Sequence, residues 1–225
     1  MIIPGIFEIT QEAAAREINL LGNLAPKIQL DLADGILVDG KTFLDLNFLE
    51  NLQITAEIQL HLMVQKPEPY FLALPAVIKD VCVQAEALMY NPLSMESFDD
   101  VLKAKKIRVG LSFNQQTPVE DFEDYIKQCD FIQFMTVNPG GQGRPFIMES
   151  LDKIRFFKEK YPNVNLQVDG GISLDVMRMV VKVGADAVVV GSEIFRSTNS
   201  AQTYQNFVVQ FENARANLFN SRNSP

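Results

Sequence analysis

The feature that most constrains this chain is an alternation in which short apolar runs are separated by longer amphipathic stretches, eight times over. The runs predicted as strands are Ile2 to Ile6, Lys27 to Leu32, Ala56 to Met63, Val81 to Ala87, Arg108 to Ser112, Phe131 to Val137, Asn165 to Asp169 and Ala187 to Val190. Helical periodicity marks Thr10 to Leu24, Ser97 to Lys105, Val119 to Gln128, Ile147 to Lys160, Leu174 to Val183 and Ala201 to Phe219, with Ser or Thr at several N-cap positions. Strands that alternate with helices lie parallel, and eight of them favour a closed (β/α)₈ barrel over an open doubly wound sheet. At 225 residues and 47% hydrophobic content the chain can bury one full core. The expected organisation is a single barrel over residues 1–219 and a flexible tail over 220–225.

Charge and composition narrow the partners. A formal charge of −8 with no block of Lys or Arg offers no footprint for nucleic acid or an anionic membrane, so an anionic substrate has to be caught locally. Cys82 and Cys129 are isolated thiols, as in a reduced, cytoplasmic protein, and are expected to be ordinary buried side chains. No apolar run approaches the roughly 18 residues of a membrane span.

Side-chain parity then points to a site. In a barrel of this kind alternate strand residues face the interior, and the active site lies where strands end. The segment "KIQLDLADG" sends Gln29, Asp31 and Ala33 one way and Ile28, Leu30 and Leu32 the other, while "EIQLHLMV" sends Gln59, His61 and Met63 inward. A Gln precedes a candidate functional residue by one inward step five times: Gln29 and Asp31, Gln59 and His61, Gln84 and Glu86, Gln133 and Met135, Gln167 and Asp169. A buried amide without a partner costs roughly 1 to 3 kcal/mol, so inward glutamines must satisfy one another or a ligand. The spacing predicts a neutral amide layer beneath an upper layer of Asp31, His61, Met63, Glu86, Met135 and Asp169. Two facing aspartates suit an epimerisation, one taking a proton beside a carbonyl and the other returning it on the opposite face. A carboxylate is a weak base for a C–H bond, so the enediolate needs stabilisation, most simply by a metal.

Three glycine-bearing segments supply the other half: "MTVNPGGQGRPF", "VDGGIS" and "VVVGSEIF" follow strands six, seven and eight. Glycine lets backbone N–H groups approach an anion closely, and the loops after strands seven and eight are the usual phosphate site of this fold. Arg144 either closes over the phosphate or is a solvated loop cation.

These segments, with "LDLADG", "HLMVQKPEPY" and "GADAVVVGSEIF", resemble the ribulose-phosphate 3-epimerase family from about Ile2 to Arg196. The resemblance implies a (β/α)₈ barrel that interconverts D-ribulose 5-phosphate and D-xylulose 5-phosphate, with a divalent metal (Zn, Mn, Fe or Mg) held by two His and two Asp. By position, Asp31 and Asp169 match the acid/base pair and metal ligands, and His61 a third ligand. Met63 and Met135 match methionines lining that site, and Gly140, Gly143, Gly170, Gly171, Gly191 and Ser192 its phosphate-binding segments. A phosphorylated ketose is the implied partner, and a homo-oligomer the implied assembly.

The departures fall at the metal. Gln29 stands where the family has a ligand histidine, Ala33 where it has a methionine, and Gln84 replaces a histidine on strand four. Gly5 replaces a serine and Asn138 a glutamate. An amide oxygen is a poorer ligand than imidazole, which favours Mg²⁺ or Mn²⁺ over zinc-like binding, or no ion. Alongside the pentulose epimerase, two alternatives stay open: an epimerase of another ketose phosphate, such as a hexulose 6-phosphate, and a non-catalytic phosphosugar-binding barrel.

Overall fold

The computed structural model describes residues 1–72, 74–90 and 102–222. Its centre is a closed parallel barrel of eight strands in chain order: β1 (Ile2–Ile6), β2 (Lys27–Ala33), β3 (Glu57–Met63), β4 (Ile78–Gln84), β5 (Arg108–Phe113), β6 (Phe131–Met135), β7 (Asn165–Asp169) and β8 (Ala187–Val190). Around it stand α1 (Gln11–Leu21), α2 (Glu68–Leu72), α3 (Ala85–Tyr90), α4 (Glu123–Ile126), α5 (Ser150–Lys160), α6 (Leu174–Lys182), α7 (Ser192–Phe195) and α8 (Ser200–Arg222). The expected (β/α)₈ architecture is therefore the observed one. The apolar alternates Ile28, Leu30 and Leu32 of β2, with Ile58, Leu60 and Leu62 of β3, pack outward into the main core. No helix among the described residues is long and apolar enough to cross a membrane.

Local chemistry explains the boundaries. Thr10 caps α1, its Oγ1 accepting from Ala13 N–H, and the helix stops at Gly22, short of the expected Leu24. The fourth strand begins and ends earlier than predicted. Ala85, Glu86, Ala87, Leu88 and Met89 are apolar enough to read as strand, but they are also strong helix formers and open α3 instead. This takes Glu86 off the strand and out of the upper layer. Its carboxylate accepts from Asn114 N–H at 3.0 Å and from the Thr117 hydroxyl. β6 stops two residues before the expected Val137, because Thr136 turns to β7, donating its N–H to Asp169 O (2.8 Å) and its hydroxyl to Gly170 O (2.6 Å). The helix expected over Val119 to Gln128 divides into a 3₁₀ turn and α4. Of the one expected over Ser97 to Lys105, residues 97–101 lie outside the described residues, and 102–104 are helical. α8 runs past Phe219 to Arg222.

The N-terminal end of the barrel is closed by ions. Lys27 Nζ pairs with Asp80, Arg108 Nε donates to Asp80 Oδ1 at 2.5 Å, and Arg108 Nη2 reaches Glu57 Oε2 at 2.8 Å. Asp80 is fully buried and Lys27 nearly so.

On α1, burial raises the Glu17 carboxyl to about 7, helped by the nearby Glu8 carboxylate. The folded state therefore holds this proton more tightly than the unfolded chain. The stabilisation is complete below the unfolded value near 4.5 and is lost as pH rises through about 7. Glu17→Gln keeps the neutral form at every pH. It should gain about 1 kcal/mol over the parent at pH 8, a figure reduced for the screening of a half-exposed group, and nothing at pH 4.5. Urea unfolding at the two pH values checks this; an equal gain at both would show that charge is not the cause.

Candidate active site

At the C-terminal mouth of the barrel lies a small cavity of about 60 Å³, well below the roughly 300 Å³ at which ligand pockets usually begin. Asp31, Met63, Met135 and Asp169 line it from strand ends, and Gly140, Gly143, Gly170, Gly171, Gly191 and Ser192 line it from the loops after β6, β7 and β8. Just beneath it lie Gln29 and His61, both fully buried.

Parity brings the two aspartates together. In register, Asp31 pairs with His61 and Met135 with Asp169. The ligand atoms of Asp31, His61 and Asp169 all lie within 4.8 Å of one another. His61 Nδ1 is 3.1 Å from Asp31 Oδ1 and 3.9 Å from Asp169 Oδ2. Burial pushes the Asp169 carboxyl up to about 7, and the Asp31 carboxylate adds to this, while His61 and an N–H bond from Gln29 oppose it. Asp169 can therefore carry a proton near neutral pH.

Below stands the amide layer. Gln59 Nε2 donates to Gln29 Oε1 at 2.8 Å, Gln167 Nε2 donates to Gln29 Oε1 at 3.1 Å and to Gln133 Oε1 at 2.6 Å, and Gln133 Nε2 reaches Asp169 Oδ2 at 3.2 Å. Four of the five predicted glutamines thus form one network. Gln84, paired in register with Ser112, lies outside it and donates to Asn114 Oδ1 at 3.1 Å, because its strand ends there.

The Asp31, His61 and Asp169 set fits a divalent cation. His61 Nδ1 meets incompatible neighbours: as a donor it serves Asp31 but opposes Gln133 Nε2, 3.3 Å away, and as an acceptor it takes the Gln133 N–H but faces Asp31 lone pair to lone pair. A cation between the three groups removes that conflict, and an imidazole with two carboxylates is a donor set for such an ion. Gln29, by contrast, turns N–H rather than oxygen toward both carboxylates.

The phosphate side also has features that sequence reasoning missed. Arg144 lines the cavity, but its guanidinium is engaged by its own loop. Its guanidinium donates to the carbonyls of Asn138 (2.8 Å), Pro139 (2.9 Å) and Gly140 (3.4 Å), stiffening its own loop. Arg196, just after α7, instead lies against Gly143, where an added Cβ would stand 2.7 Å from Nη1. Its only sequence signal was a cation close behind "VGSEIF". Gly5 is dictated by packing: a Cβ there would stand 2.5 Å from Val189 Cγ1, so the serine of the resembled pattern has no room, and Gln142 Nε2 donates to the Gly5 carbonyl at 3.1 Å. Asp34 organises the loop after β2, accepting from the N–H groups of Ile36 (2.8 Å), Leu37 (3.1 Å) and Gln65 (2.8 Å). That loop touches the β6 loop where Gly40 meets Gly140. Gly140 has φ +101°, and a Cβ on it would stand 2.6 Å from Gly40 N, so both positions need glycine.

Known proteins resemble the chain over most of its length. Residues 1–195 match the ribulose-phosphate 3 epimerase family. A ribulose-phosphate 3-epimerase of Escherichia coli is 32% identical over 181 residues, 76% of this chain and 77% of that one. One from Schizosaccharomyces pombe is 33% identical over 142 residues, which span 61% of this chain and 59% of the yeast protein. Among solved structures, 3-hexulose-6-phosphate synthase from Salmonella typhimurium superposes with a TM-score of 0.68 over 96% of this chain and 99% of that one, at 14% identity, a likeness of fold alone. With the family matched over nearly the whole barrel, the chain belongs to the ribulose-phosphate 3-epimerase family.

Proposed function

We propose that this protein is an epimerase that interconverts D-ribulose 5-phosphate and D-xylulose 5-phosphate. The observation that carries the reading is the pair Asp31 and Asp169, whose carboxylate oxygens come within 4.8 Å at the mouth of a barrel ringed by glycine loops. One carboxylate removes the C3 proton from one face, and the electron pair moves into the C2–C3 bond as the C2 oxygen becomes an enediolate oxygen. The other, arriving protonated, returns a proton to C3 from the opposite face. Either aspartate can fill either role, and the roles exchange in the reverse direction.

Asp31, His61 and Asp169 would hold the divalent ion; because Gln29 turns N–H rather than oxygen toward them, the expected shift toward Mg²⁺ loses its ground, and Zn²⁺, Mn²⁺ or Fe²⁺ suits the mixed nitrogen and oxygen donors better. When bound, such an ion supplies Lewis-acid stabilisation of the enediolate. Backbone N–H groups of Gly170, Gly171, Gly191 and Ser192 bind the phosphate, and Arg196 brings a side-chain cation to the same rim in a protein of net charge −8. Met63 and Met135 shape the apolar wall.

Incubation with ribulose 5-phosphate in D₂O with Mn²⁺ tests the reading. Deuterium is expected at C3 together with xylulose 5-phosphate. No exchange with Mn²⁺ or Zn²⁺ would overturn it, and exchange confined to a hexulose 6-phosphate would replace the substrate.

A further inference from the structure

Gln29 is fully committed to partners. Its Nε2 donates to Asp31 Oδ1 at 2.9 Å and to Asp169 Oδ2 at 2.6 Å, while its Oε1 accepts from Gln59 at 2.8 Å and Gln167 at 3.1 Å. A primary amide has two hydrogens to donate and can accept two, so every position is used. The opposite orientation would set a carbonyl against two carboxylates and an NH₂ against two more. The N–H end of Gln29 therefore lies in the gap between the aspartates, toward the space a cation would enter. Gln133 repeats the polarity, pointing Nε2 at Asp169 and Oε1 at Gln167.

The network has one loose end. Gln59 Oε1 is buried and has no hydrogen-bond partner among the described residues. Gln59 and Gln167 also line a second cavity, of about 220 Å³, on the side of the layer that faces Lys27, Asp80 and Arg108. This leaves room for Gln59 to turn. If Gln29 reversed, Gln59 could meet its N–H with the oxygen that is now idle. Gln167 and then Gln133 would also have to reverse, because otherwise one NH₂ would face another.

We propose that Gln29, Gln59, Gln133 and Gln167 form a two-position relay that governs cation binding. In the position seen here the Gln29 N–H clamps the two carboxylates and keeps the site weak for a divalent ion. In the other position the three hydrogen bonds that join the glutamines reverse together, the N–H bonds to the carboxylates are released, and Gln29 presents Oε1 to an ion held by Asp31, His61 and Asp169. Gln29 and Gln59 are thus positioning residues that set cation affinity through the carboxylates. The inference rests on the metal set named under the proposed function. It can fail independently, because cation binding is measured without substrate.

The test is Mn²⁺ titration calorimetry on the full chain and on Gln59→Glu, whose carboxylate can accept from Gln29 but not donate to it. With only an acceptor facing it there, Gln29 keeps Oε1 toward the cation. Mn²⁺ should then bind at least about tenfold more tightly than to the parent or to Gln84→Glu, which adds the same charge outside the network, the scale on which groups behind metal ligands act. Unchanged or weaker binding by a folded variant overturns the relay. A second measurement needs no variant: in ¹⁵N-labelled wild-type protein titrated with Zn²⁺, the side-chain NH₂ signals of all four glutamines should shift with one midpoint. Shifts confined to Gln29, or none up to millimolar Zn²⁺, overturn it equally.

Discussion

Asp31→Asn and Asp169→Asn will each lower epimerisation by about 10³-fold or more, within the span by which a positioned acid or base accelerates proton transfer. The informative result lies in what each variant retains. With one carboxylate gone, the other still faces C3 from its own side, so it should wash the C3 hydrogen of one epimer into D₂O without inverting the carbon. Asp31→Asn should exchange one of ribulose 5-phosphate and xylulose 5-phosphate, and Asp169→Asn the other. NMR of the recovered sugars in D₂O reads both outcomes. Two variants that exchanged the same epimer would mean that the aspartates do not serve opposite faces.

Asp80→Asn will cost about 3 to 5 kcal/mol of stability, because it leaves the Lys27 ammonium buried beside a neutral amide, with Arg108 turned outward to Glu57. For a chain of this length that corresponds to a fall in Tm of roughly 10 °C. Replacing Lys27 with Met and Asp80 with Leu together should recover most of the loss, since a packed apolar pair is often as stable as a buried ion pair. Thermal unfolding of the three proteins decides the matter. If Asp80→Asn melted within about 1 kcal/mol of the parent, the ions would be dispensable at the base of the barrel.

What the sequence disclosed follows from which signals are local. Period-two alternation in "KIQLDLADG" and "EIQLHLMV" was enough to place Asp31 and His61 side by side and to forecast an amide layer, because a strand turns alternate residues to the same side whatever surrounds it. The end of β4 was not legible, since Ala85 to Met89 satisfy a strand's apolarity and a helix's propensity at once, and the helix prevailed. Glu86 was misplaced with it. The ionic closure at the barrel base was out of reach because Lys27 and Asp80 are 53 residues apart, and nothing in either neighbourhood announces the other. Gln29 was singled out by identity, but not by orientation. Which end of its amide faces the aspartates is decided by Gln59 and Gln167, two partners on other strands.

The meeting of Gly40 and Gly140 sets backbone against backbone beside the site. Neither residue has a side chain, so the contact is made by two peptide groups, which water can hydrate. Behind them lies a small apolar cluster, Ala33, Val38 and Met63 with Phe7 against it, distinct from the main core. Little apolar surface is therefore staked on this contact, and the cohesion of the barrel does not depend on it.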